Sequence, residues 1–258
     1  MLKHVVMLMA SLAQAPLQQD LITSLQTGTP AAREAAVRQA TQIPLEERET
    51  DLWMALVNEL QRVSRESETR DDLAAAGQPI APSGRLGGGS EEYLPNLIGA
   101  VGQWRDLRAL PALISAAGGG MIITEPIVRF GDAAVPSLVE AARHGHRSHR
   151  AGSLLALQYM LEGNQIAQHN IPPANLSPES RAAILQLARD LLRPKAANWS
   201  ELPTVAGLAL ATADPQLRRQ VELLAAEPGI VSEVTGLVDA QSIDLVQHGI
   251  AARLKKHQ

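Results

Sequence analysis

Short segments of this chain repeatedly carry apolar residues at i, i+3, i+4 and i+7, a spacing that a 3.6-residue helix gathers onto one face. Trp53, Leu56, Val57 and Leu60 follow it, with Val63 one turn on, and so do Leu94, Leu97, Ile98 and Val101. The pattern returns in Leu110, Leu113, Ile114 and Ala117, in Val135, Leu138, Val139 and Ala142, and in Ile184, Leu187, Ala188 and Leu191. Each stretch is one helix long and ends in Gly, Pro or polar residues. Period-2 alternation is nearly absent. The composition agrees: 45% of residues are hydrophobic but only 2% aromatic, so the core must be aliphatic, which suits closely packed helices. The expected fold is all-α, with roughly ten to twelve short amphipathic helices. The spans are 17–27, 30–42, 46–72, 91–104, 107–117, 121–130, 133–144, 147–162, 178–193, 202–212, 215–226 and 230–254.

Three helix starts share one local chemistry. Thr29-Pro30-Ala31-Ala32-Arg33, Ser177-Pro178-Glu179-Ser180-Arg181 and Asp214-Pro215-Gln216-Leu217-Arg218 all fit [STD]-P-x-x-R. The side-chain oxygen accepts from an orphan N–H of the first turn, and proline at the first helical position has no N–H to lose. Between Gly77 and Ser90, three consecutive glycines and two prolines prevent a helix from crossing. This predicts a flexible loop over 77–90 that separates an N-terminal helical subregion, 16–76, from a main helical array, 91–258. Residues 163–176, with Pro172 and Pro173, form a second connection.

These elements resemble the HEAT-repeat family. The run Leu107-Arg108-Ala109-Leu110-Pro111-Ala112-Leu113-Ile114 is similar to the first helix of a HEAT unit, and Ile127 to Val139 resembles the junction between successive units. Asp214-Pro215-Gln216-Leu217-Arg218 resembles the start of a second helix. The likeness runs over about 91–162, more weakly over 16–65 and 177–226, and the Thr29 and Ser177 copies lack the family's aspartate. It implies a HEAT-like α-solenoid of antiparallel helix pairs wound into a right-handed superhelix. It further implies protein binding along the second helices, here those beginning near Pro30, Met121, Arg147 and Pro215. A phycobilin-lyase-type accessory role is the alternative, although this chain has no cysteine and few aromatics with which to hold a flat pigment.

Charge narrows the function classes. The formal net charge is −4, without the basic surplus that neutralising phosphates demands, so nucleic acid is disfavoured as a partner. The absence of cysteine removes disulfides, thiolate metal sites and cysteine nucleophiles. Glycine runs at 87–89 and 118–120 lack the lysine or the strand setting of a phosphate-binding loop, and no serine sits in a G-x-S-x-G elbow. No cofactor or catalytic residue is assigned, and the chain reads as a non-enzyme.

One basic cluster remains. Between Glu140 and Glu162 there is no acidic residue, while Arg143, His144, His146, Arg147, His149 and Arg150 crowd the turn between two helices. The imidazoles lack the i, i+4 spacing and the further ligand of a zinc site. As an electrostatic surface the cluster suits an acidic protein partner, and protonating the histidines at mildly acid pH would strengthen it. A solvated turn is the plainer alternative, with Arg150 serving inter-repeat contacts. Trp53 is expected in the core, and Trp104 and Trp199 half-exposed near helix ends.

The first residues resemble an export signal. Lys3 and His4 precede the apolar run from Val5 to Ala10, and Ser11, Ala13 and Ala15 are small, which favours cleavage after Ala13 and a signal segment over 1–13. An amphipathic first helix is the alternative. No other stretch approaches the ~18 apolar residues of a membrane span. The expectation is thus a secreted or periplasmic protein-binding scaffold, or a cytoplasmic one if that first segment is a helix.

Overall fold

The structure is a computed structural model that describes residues 17–78, 90–117, 121–166 and 169–257. The signal segment 1–13, most of the expected loop at 77–90 and the glycine run 118–120 lie outside the described residues. The described chain is almost wholly helical. Helix α1 covers 17–27, followed by α2 (Pro30–Gln42), α3 (Thr50–Ala75), α4 (Tyr93–Gly102), α5 (Leu110–Ala116) and α6 (Met121–Val128). Then come α7 (Val135–His144), α8 (Arg147–Glu162), α9 (Pro178–Leu191), α10 (Leu202–Ala211), α11 (Pro215–Ala226), α12 (Pro228–Thr235) and α13 (Ala240–Lys256). Thirteen α-helices are therefore seen among the described residues, one more than the spans expected from sequence.

The cap chemistry forms as expected. Thr29 Oγ1 accepts from the Ala32 N–H at 3.3 Å and Ser177 Oγ from the Ser180 N–H at 3.2 Å. Asp214 Oδ1 accepts from both Gln216 and Leu217, at 3.0 and 2.9 Å. A second recurrent entry is a 3₁₀ turn running straight into a helix with proline in its first turn: 107–109 into Pro111, 131–134 into Pro136, and 199–201 into Pro203. Proline is tolerated there because the first N–H groups of a helix have no intrahelical acceptor.

The chain divides into two compact units at Pro126/Ile127, not at the expected loop. In the first unit α2 and α3 pack against α4, and α3 also packs against α5, so the segments on either side of 77–90 share one core. That core is built on Leu52, Trp53, Leu56, Leu60, Tyr93, Leu97, Ile98 and Leu113, all fully buried. Arg48 is buried in it, and among the described residues no carboxylate pairs with it. Its guanidinium donates to the Thr41 and Ile43 carbonyls at the end of α2 and to Gln103 Oε1.

In the second unit α10 is the central helix, packing against α8, α9, α11 and α13. Its sequence, Leu-Pro-Thr-Val-Ala-Gly-Leu-Ala-Leu-Ala, has no charged residue, as a helix covered on several sides requires. Around it α7 packs on α8 and α9, and α11 and α12 on α13.

Two elements differ from the sequence reading. Gly236, at φ 75°, closes α12 in the left-handed region, so the expected helix 230–254 is two helices, with Asp239 capping the second through the Ser242 N–H at 2.7 Å. The connection 163–176 contains a small antiparallel hairpin, β1 (Asn164–Ile166) with β2 (His169–Ile171), paired Asn164 to Ile171. Gly163 makes it possible. Its φ of 74° and ψ of −176° belong to a region essentially reserved for glycine, and a Cβ there would lie 2.6 Å from the Ile171 carbonyl oxygen. Gly163→Ala is expected to destabilise the second unit by about 2–3 kcal/mol. Urea denaturation checks this, and a loss below about 1 kcal/mol would show that the hairpin can shift to make room.

Candidate functional site

Helix α8 carries a polar cluster at each of its ends. At its start stand the six residues singled out from the sequence. Gly145 turns the chain between α7 and α8 so tightly that a Cβ there would meet the Ala141 carbonyl oxygen at 2.5 Å. His146 is the N-cap of α8: its Nδ1 lies 2.7 Å from Ser148 Oγ and 3.4 Å from the Ser148 backbone nitrogen. The His146 and His149 rings meet edge to face at 5.6 Å.

The arginines of this turn do two different things. Arg143, in the last turn of α7, pairs with Asp190 of α9 at 2.8 Å. Arg150, in the first turn of α8, pairs with Glu201 at 2.9 Å, and Glu201 is only 6% exposed. Arg150 also reaches the Arg143 carbonyl at 3.5 Å. These two side chains brace the turn against the elements beside it, since truncating either partner would strand a partly buried charge. His144 and Arg147 instead point outward and are exposed. The structure thus splits the six residues into a frame (Arg143, His146, His149 and Arg150) and a presented pair (His144 and Arg147).

The far end of α8 holds a cluster that the sequence reading did not assemble. Gln158 is fully buried against α10, where a Cβ on Gly207 would lie 2.8 Å from its Oε1. Its Nε2 donates to Glu162 Oε1 at 2.7 Å. Glu162 in turn faces Lys256 Nζ at 3.4 Å and His257 Nε2 at 3.2 Å, both from the end of α13. Burial, reinforced by Lys256, Arg218 and Arg253 and opposed by Glu162, depresses the proton affinity of the His257 imidazole below its ordinary value. Burial also raises that of the neighbouring Tyr159 phenol, with Arg253 and Glu162 acting in opposite senses. Arg253, Lys255 and Lys256 stand in the last turn of α13, where the negative helix end favours cations. Only the packing of α13 on α11 and α10 brings Lys256 to Glu162.

Among the described residues no group of three His, Cys, Asp or Glu side chains is arranged to hold a metal ion. The exposure of Trp104, just past α4, and of Trp199, in the turn before α10, is as expected. Trp104 is half-buried and Trp199 is 38% exposed. No protein-family model matches this chain, and no curated protein or solved structure is significantly similar to it.

Proposed function

We propose that this chain is a non-enzymatic, protein-binding scaffold, a HEAT-like stack of helix pairs that docks an acidic segment of a partner protein at the α7–α8 turn. The observation that carries this reading is the division of labour in that turn. Arg143 and Arg150 are held in ion pairs with Asp190 and Glu201, so the backbone between them is braced. On that brace His144 and Arg147 are left exposed, beside the N–H groups that open α8. A rigid positive surface on a chain of net charge −4 steers and orients an acidic partner without a large conformational cost. The long run without acids from Ala141 to Leu161 supports the same reading, because no carboxylate in that stretch competes for the presented Arg147. Export of the mature chain belongs to this proposal and is tested by sequencing its N-terminus from the native cell.

The binding surface is tested by placing a photo-crosslinking residue at position 144 and purifying the adducts from the native cell. Crosslinks to an acidic segment of one protein are expected. In the purified complex His144→Glu/Arg147→Glu is expected to weaken affinity about tenfold or more, mainly through slower association, and to flatten its salt dependence. Adducts spread over many unrelated proteins, or a double variant that binds as the parent does, would sink the assignment.

A further inference from the structure

Helix α13 presents one continuous outer stripe. Asp244, Leu245, His248, Ala251, Ala252 and Lys255 are all exposed. At about 100° of rotation per residue, every one of them falls within about 60° of His248. The opposite side of the helix is covered, where α13 packs on α10, α11 and α12. Val246 and Ile250 are buried there, and a Cβ on Gly249 would lie 2.8 Å from the Pro203 side chain. Leu245 is 64% exposed and Val238, just before the helix, 92%. Among the described residues these are the two most exposed large apolar side chains.

The charges of the stripe stand apart. Asp244 lies near its start and Lys255 at its end, about 16 Å away along the axis, too far for one to neutralise the other. Lys255 has no hydrogen bond or ion pair among the described residues. Asp244 faces His248 Nδ1 at 3.2 Å, a cation only when protonated. Between the two charges, Ala251 and Ala252 leave room for another helix to approach closely.

This pattern is complementary to itself in the antiparallel sense. A two-fold axis crossing the stripe midway between His248 and Ala251 lays α13 on a second copy running the other way. Asp244 of each chain then meets Lys255 of the other, His248 meets Ala251, and Leu245 lies over the small Ala252. A parallel pairing would instead set Asp244 on Asp244 and Lys255 on Lys255, which repels at both ends. We propose that the outer stripe of α13 is a self-association surface, through which two copies of this chain pair antiparallel as a symmetric dimer. One helix from each chain falls at the low end of interface sizes, below about 1,200 Å² in total, so the dimer is weak and concentration-dependent.

Sedimentation velocity of the full chain over roughly 10 μM to 1 mM, at about pH 8 where histidine is ordinarily neutral, tests this. The sedimentation coefficient is expected to rise with concentration toward that of a dimer. Leu245→Glu, Asp244→Lys and Lys255→Glu are each expected to weaken dimerisation about tenfold, because each change acts at both symmetric contacts. All three positions are exposed, so the fold tolerates the changes, and circular dichroism checks that it does. The sharpest arm mixes Asp244→Lys with Lys255→Glu. Neither pairs well with itself, yet the mixture restores two contacts of opposite charge and is expected to dimerise as the parent does. A chain that is monomeric at every concentration would overturn the proposal and leave the stripe to a different protein. Self-association that all three variants leave unchanged would place the contact elsewhere and overturn it too, as would charge variants that do not pair when mixed.

Discussion

Trp53→Ala is expected to destabilise the first unit by about 3–5 kcal/mol, the largest loss from any single truncation in that core. Trp53 is fully buried in a core otherwise almost entirely aliphatic. Its ring stacks on Trp104 at 5.4 Å and 14° between planes, and the Arg108 guanidinium lies 5.0 Å from its centroid. The indole N–H donates to the Val101 carbonyl at 3.3 Å. Alanine therefore removes apolar burial, an aromatic pair, a cation–π contact and a hydrogen bond together. Trp53→Phe restores part of the stacking and is expected to cost about 1–2 kcal/mol. Urea denaturation followed by circular dichroism measures both. A loss below about 1.5 kcal/mol for alanine would show that the aliphatic neighbours collapse into the space.

The second large effect is expected at Arg62. Glu59 is buried in α3, 3% exposed, and its carboxylate accepts from the Tyr93 hydroxyl and from Arg62 at both Nε and Nη2, each at 2.7 Å. Burial first, and the Glu59 hydrogen bond second, push the Tyr93 phenol well above its usual range, so it stays neutral and donates. Arg62 is held protonated chiefly by its hydrogen bonds to Glu59. Arg62→Met leaves a buried carboxylate with one neutral donor, and about 2–4 kcal/mol is the expected loss, less than for a fully buried pair because Arg62 is 38% exposed. The variant is expected to regain stability as the pH is lowered, because folding then takes up the proton that neutralises the stranded acid. Glu59→Gln in the Arg62→Met background is expected to recover much of the loss. Independent, additive losses in this double-mutant cycle would show that the pair is not coupled.

Both sites show where local sequence information stops. Trp53 is legible as core because Leu56, Val57 and Leu60 share its helical face. Its partner Trp104 is not, because it lies beyond the end of α4 and reaches the ring only when α3 and α4 pack. Arg62 and Glu59 are three residues apart and plausible as a surface pair. Tyr93, 34 residues further on, makes them interior. The same holds for the α7–α8 turn. Six basic residues are visible as a cluster, yet Asp190 and Glu201, 47 and 51 residues downstream, decide that Arg143 and Arg150 are braces. The small hairpin after α8 was missed because three-residue strands carry too few side chains to establish an alternating pattern.

By itself the sequence determined the helical character, the helix starts at Pro30, Pro178 and Pro215, and the buried face of each long amphipathic segment. Those features arise from caps, proline geometry and 3.6-residue periodicity, all of which act within about four residues along the chain. Only the tertiary structure decided the division at Pro126/Ile127, the sorting of the basic turn into frame and presented pair, and the meeting of Glu162 with the end of α13. Those depend on which helix faces pack together, because a charge's role is set by its burial and by neighbours brought from distant parts of the chain.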